Sequence, residues 1–155
     1  MSRDGSNQGD GGDGSARSVV ELFVPPRTDY LALTRIVVSA VAVITRSVPE
    51  ERLDDLRLVV SEACANAIAA HRAVGSDEDI AVVCHLGEQS ITVEIADRGG
   101  GFRLADLVQM PPIADPARLE HEGGFGIPLM QRLADRAEFE STATGTSVRL
   151  HLNSA

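Results

Sequence analysis

The stretch Ile80–Ala96, IAVVCHLGEQSITVEIA, decides the fold. Two apolar, β-branched runs, Ile80–Leu86 and Ser90–Ala96, flank Gly87-Glu88-Gln89. A short loop led by glycine joins antiparallel neighbours, whereas a parallel pair needs a crossover of about a dozen residues or more. The spacing therefore predicts a hairpin. Upstream of it the apolar period changes from strand-like to helical. Pro49 opens a long helix with Glu50 and Glu51 in its favourable acidic first turn. Leu53, Leu56, Val60, Ala63 and Ala67 form its expected buried stripe. The pattern fades near His71 and Gly75 stops it.

Further upstream, Thr28 or Asp29 can cap another helix. Leu33, Ile36, Val37, Ala40, Val41, Ile44 and Val48 predict its apolar face, and Ser47 to Pro49 its end. Ser18–Val24 (SVVELFV) reads as a first strand closed by Pro25-Pro26. Downstream of the hairpin come a glycine-rich turn and a short helical segment near Leu104. Met110–Glu122, with three prolines, reads as a mobile loop. A helix over Phe125–Ala134 follows, then strands over Ala137–Thr142 and Ser147–Leu152 around Thr144-Gly145. The order β-α-α-β-β-α-β-β predicts an α+β fold: a two-layer sandwich with helices on one face of a mixed, mostly antiparallel sheet.

Composition limits the function classes. The 155 residues suit one domain with one core. The net charge of -9 argues against direct nucleic-acid binding, which calls for a basic stripe. Trp is absent, so the core must be aliphatic. No apolar run reaches the roughly 20 residues that span a bilayer, so no membrane role is expected. Residues 1–17 are rich in Gly, Asp and Ser and are expected to be disordered, leaving 18–155 as the domain. Nothing there resembles a signal peptide, and cytoplasmic residence is the expectation. Cys64 and Cys84 sit in apolar segments outside any CxxC pair and read as small hydrophobes. His71, His85, His121 and His151 lack metal-ligand spacing and read as surface or satisfied histidines.

Four short segments can carry chemistry. Glu62 and Asn66 lie four apart on one helix face, with Asp55 on nearly the same line. A carboxylate and a carboxamide one turn apart can hold Mg2+ by oxygen ligands; the Glu can instead take a proton from a nucleophile. An isolated pair of this kind is more often a solvated face. Asp97 ends an alternating strand before Arg98 and the glycines 99–101. An acid there can accept from a base's exocyclic amine, although Asp-x-Gly is also an ordinary turn. Gly123, Gly124 and Gly126 precede a helix, where free N–H groups attract anions. Gly145-Thr146 lies in the last hairpin, where Thr can offer a hydroxyl near Asp97. No GxxxxGK[ST] occurs, which excludes a P-loop.

Taken in order, the four segments resemble the GHKL (Bergerat-fold, histidine-kinase-like) ATPase family, most of all its RsbW-like anti-sigma-factor serine kinases. SEACANAIAAH is similar to the N box, DRGGGF to the first glycine box, EGGFGIPLM to the second, and GTSVRL to the terminal Gly-Thr. The likeness covers about residues 18–152. It implies ATP and Mg2+ as cofactors. By position it implies Glu62 as general base and Asn66 as Mg2+ ligand. Asp97 would hold the adenine amine with Thr146 in support. Gly99, Gly101, Gly124 and Gly126 would shape the walls around the nucleotide, and the Met110–Glu122 loop would be the lid. The chain departs from some relatives just before the second glycine box, where His121-Glu122 replace an Arg.

The resemblance implies an anti-sigma factor that phosphorylates, on Ser, a STAS-type antagonist protein and sequesters a sigma factor, as a homodimer joined through Ser18–Val48. Two alternatives stand beside it. A histidine-kinase catalytic domain would need an acceptor-histidine helix upstream, which residues 1–17 do not provide. A non-catalytic ATP-binding switch would hold a partner without transferring phosphate.

Overall fold

The computed structural model describes residues 18–98 and 126–154. The tail 1–17 and residues 99–125, with the expected segment near Leu104 and the loop over 110–122, lie outside them. Strand β1 spans Ser18–Val24, and a single 3-10 turn leads into α1, Leu31–Thr45. A second 3-10 turn, Glu50–Arg52, opens α2, Leu53–Val74. Strands β2 (Ile80–Leu86) and β3 (Ser90–Ala96) form the expected hairpin. Helix α3 spans Gly126–Leu133, followed by β4 (Arg136–Thr142) and β5 (Gly145–Asn153). The expected element order holds.

The five strands form one sheet in the order β1-β2-β3-β5-β4, and every pairing among the described residues is antiparallel. Alternation sets the sheet's two faces. Ile80, Val82, Cys84 and Leu86 on β2, Ile91, Val93 and Ile95 on β3, and Val148, Leu150 and Leu152 on β5 point into the core. The opposite face is polar: Arg149 and Ser147 both bond Glu94 there, and Thr92 meets the His151 ring.

Helix α2 is the spine of the helical layer. Leu53, Leu56, Val59, Val60, Ala63, Ala67 and Ile68 are buried, and each large side chain among them contributes about 1.5–3 kcal/mol. The helix ends in a Schellman motif: Gly75 adopts φ +64, its N–H bonds Arg72 O, and Ser76 N–H bonds His71 O at 2.9 Å.

Helix α1 corrects the sequence reading. Its buried residues are Thr34, Val38, Ser39 and Ala42; of the expected stripe only Val41, packed partly against the core, and Val48, buried just past the helix, point inward. Leu33, Ile36 and Ile44 face outward, Ile44 at 81% exposure. The helix is apolar almost all round, so periodicity alone could not choose its inner face. On the inner face Ser39 accepts from the Arg57 guanidinium of α2 at 3.0 Å, a contact that apolar periodicity does not register. Residues Thr28–Thr45 are also long and apolar enough, by length and composition, to be a candidate membrane span. In the structure this segment is the outer helix of the domain. It ends earlier than expected, at Arg46 in the left-handed region (φ 53).

Candidate functional site

The site begins as an interruption of the core. On β3 the inward positions run Ile91, Val93, Ile95, and the next position in that phase is Asp97. On β5 the inward row Leu152, Leu150, Val148 ends likewise at Thr146. Two apolar rows thus finish in polar groups side by side. Asp97 N–H donates to Thr146 O at 2.9 Å, and Thr146 N–H donates to Asp97 Oδ1 at 3.3 Å. The Thr146 hydroxyl is buried with no hydrogen-bond partner among the described residues. A buried unsatisfied hydroxyl costs about 1–3 kcal/mol, a cost that a ligand or water can remove.

Gly145 makes this junction possible. The hairpin was expected to turn around Thr144-Gly145, but the turn falls on Ala143-Thr144, and Gly145, whose φ is not positive, opens β5. Its reason is close approach. A Cβ at 145 would overlap the Asp97 carbonyl oxygen and lie 3.0 Å from Arg98 Cα.

Between the sheet and α2 lies a cavity of about 140 Å³. Asp97 and Thr146 form its polar end, Phe139 lies on the β4 side, and Ile127 and Met130 of α3 close it. From α2 come Ala63, Asn66, Ala67 and Ala70. These small residues, at spacings of three and four, leave the room that larger side chains would fill. The volume suits one flat ring system and not a whole nucleotide.

Glu62 and Asn66 are half-buried on one face of α2. Gly126, the first residue of α3, lies against both: a Cβ there would stand 3.1 Å from Glu62 Oε2 and 3.2 Å from Asn66 Nδ2. The structure thus brings Glu62, Asn66, Gly126, Asp97 and Thr146 around one cavity and its rim. Gly99, Gly101 and Gly124 lie outside the described residues. A carboxylate and an amide oxygen form a hard donor set that fits Mg2+ together with substrate phosphates. Asp55 is not in this group; it pairs with Arg52 at 3.7 Å.

Other ionisable groups lie elsewhere in the fold. Burial pushes the Cys64 thiol to about 12 and the Cys84 thiol to about 11, so neither is a thiolate nucleophile near neutral pH. Both are free and buried, as expected. Partial desolvation works against ionisation of Asp135. The Asn153 N–H and the Arg52 guanidinium, with His151 beyond them, outweigh it and lower its pKa. Sequence reasoning missed Phe139, Met130 and His71. Phe139 lies on an alternating strand, a signal that marks burial but not a cavity.

A family model described as a histidine kinase-like ATPase domain matches residues 24–152. The chain is 33% identical over 133 residues to the serine-protein kinase RsbW of Bacillus pumilus, covering 81% of this chain and 80% of that one. It is 29% identical over 126 residues to the serine-protein kinase RsbW of Bacillus subtilis, covering 79% and 78%. Two solved structures share the fold. The RsbU and RsbW domains of a Mycobacterium tuberculosis protein superpose with a TM-score of 0.62 at 14% identity, over 88% of this chain and 32% of that one. The SiaB–SiaC complex of Pseudomonas aeruginosa gives 0.61 at 15% identity, over 86% and 88%.

Proposed function

The chain belongs to the histidine kinase-like ATPase domain family, and from that premise we propose that it is a Mg-ATP-dependent serine-protein kinase acting as an anti-sigma factor. The observation that carries this reading is the cavity with Asp97 and an unsatisfied Thr146 hydroxyl at one end and Glu62 with Asn66 at its rim. Asp97 accepts from the adenine amine, and Thr146 holds Asp97 in place while offering its hydroxyl. Phe139, Ile127 and Met130 exclude water from the base. Gly126, against Glu62 and Asn66, leaves room beside the nucleotide, and the resemblance assigns Gly99, Gly101 and Gly124 to the same walls.

Asn66 supplies an amide oxygen to Mg2+, which when bound neutralises charge on the phosphates. Glu62 takes the proton from the substrate seryl hydroxyl as its oxygen bonds to the γ-phosphorus. The bond from that phosphorus to the bridging oxygen breaks, and ADP leaves with the electron pair. The substrate is a STAS-type antagonist bearing the serine, and the sequestered partner is a sigma factor. The protein works in the cytoplasm as a homodimer, supported by the outward apolar residues of α1 and by Phe23 on the edge strand β1, at 60% exposure.

The test is transfer of labelled phosphate from Mg-ATP to serine-bearing antagonists. Glu62→Gln is expected to lower transfer by about 10²-fold or more while ATP affinity stays within a few-fold. Tight ATP binding without transfer to any antagonist would instead support a non-catalytic switch.

A further inference from the structure

We infer that His71 is a positioning residue for base recognition, holding the Asp97–Arg98 peptide in the one orientation that lets Asp97 face the cavity. The inference rests on the reading of Asp97 as the acceptor for the adenine amine.

His71 lies in the last turn of α2 and is fully buried. Its Nε2 accepts the Arg98 backbone N–H at 2.8 Å. That amide lies beyond the last ladder pair of β3 and needs a partner from outside the sheet. The backbone on both sides of this contact is itself tied. The His71 carbonyl closes the Schellman motif with Ser76, and the Arg98 side chain meets Glu78 on the same connection at 3.4 Å.

The N–H and C=O of a trans peptide point in opposite directions within one plane. At the Asp97–Arg98 peptide, His71 takes the N–H end. Gly145 clears space at the C=O end, where any Cβ would collide with the Asp97 oxygen. Asp97 N–H is tied separately to Thr146 O. The backbone on both sides of Asp97 is therefore held, by α2 on one side and by β5 on the other. A base-reading acid needs this, because its selectivity depends on where its oxygens stand. A nonpolar residue at 71 leaves the Arg98 amide unsatisfied, and the peptide is then free to turn toward water.

The acceptor role also sets the ring's tautomer. A bare Nε2 puts the neutral ring's proton on Nδ1, which has no partner among the described residues. The ring's one polar contact among the described residues is therefore the Arg98 amide, through Nε2.

The experiment compares Mg-ATP with Mg-ITP, which has an oxygen in place of the amine, by calorimetry on the full chain. Wild type is expected to prefer ATP, and Asp97→Ala to lose that preference. His71→Leu should weaken ATP binding by about tenfold with little change for ITP. His71→Gln, whose amide oxygen can accept the same N–H, should recover most of the preference. A folded His71→Leu that keeps the ATP/ITP ratio within twofold, or that weakens both nucleotides equally, overturns the inference. A wild type without preference overturns the Asp97 reading first and this inference with it. Should His71→Leu fail to fold, ring 15N shifts of the wild type decide: a protonated Nδ1 and bare Nε2 are expected, and the reverse tautomer sinks the proposal.

Discussion

Replacing Gly145 by alanine tests whether Asp97 is held by close approach. A Cβ there would overlap the Asp97 carbonyl oxygen and stand 3.0 Å from both Arg98 Cα and Asp97 C. Carbon atoms rest about 3.5–4.0 Å apart, so the two backbones must separate by about 0.5 Å or more. The clash is with backbone, and no side chain can rotate to relieve it. The 3.3 Å bond from Thr146 N–H to the Asp97 carboxylate is already long and is the first contact to fail. A hydrogen bond to a charged acceptor contributes about 1.5–3 kcal/mol, so Mg-ATP affinity should fall roughly 10- to 150-fold. Titration calorimetry well below the melting temperature measures this. Gly87→Ala is the control, because a Cβ there meets mainly the Ser90 hydroxyl, which can turn away. Wild-type affinity in a folded Gly145→Ala protein would refute the reasoning.

Three further outcomes follow from the same structure. Native protein at pH 8 should react with a maleimide only slowly at Cys64 and Cys84, and rapidly after denaturation; fast native labelling would contradict their burial. Asp135 has a folded pKa below its ordinary 3.8, so its contribution is complete above that value and lost as pH falls through the folded pKa. Asp135→Asn should therefore cost up to about 1 kcal/mol at pH 7 in urea unfolding, with the difference closing below about pH 4; a constant gap would refute it. Ile36→Asp with Ile44→Asp should shift a sedimenting dimer to monomer without lowering helix content, and an unchanged sedimentation coefficient would dismiss α1 as the contact.

Legibility in the sequence followed the strength of the local period. β2 and β3 were readable to the residue, because clean alternation and a glycine-led loop leave one register open. The stripe of α2 was readable because its polar face is distinct. Helix α1 was not, since an apolar surface on all sides offers two plausible inner faces and only packing against α2 selects one. Glu62 and Asn66, and Asp97 with Thr146, could be picked out as short patterns. Their convergence could not, because residues from α2, α3, β3 and β5 meet only after the layers close. His71 shows the limit most sharply. A histidine near a helix end reads as surface or as satisfied, and nothing local names its partner, an amide 27 positions away.

On the proposed reading, the division of the site between the two layers makes a bound nucleotide a tie between them. Asp97 and Thr146 stand on the sheet and Glu62 and Asn66 on the helical layer, so an unfolded or splayed chain would not hold the proposed nucleotide. Mass action then couples occupancy to survival. At a free nucleotide concentration of 100 times Kd the folded state gains about 2.7 kcal/mol, which lowers the unfolded population roughly a hundredfold. A protein without bound nucleotide would be lost to proteolysis sooner than one that holds it, so occupancy of the site would set its abundance.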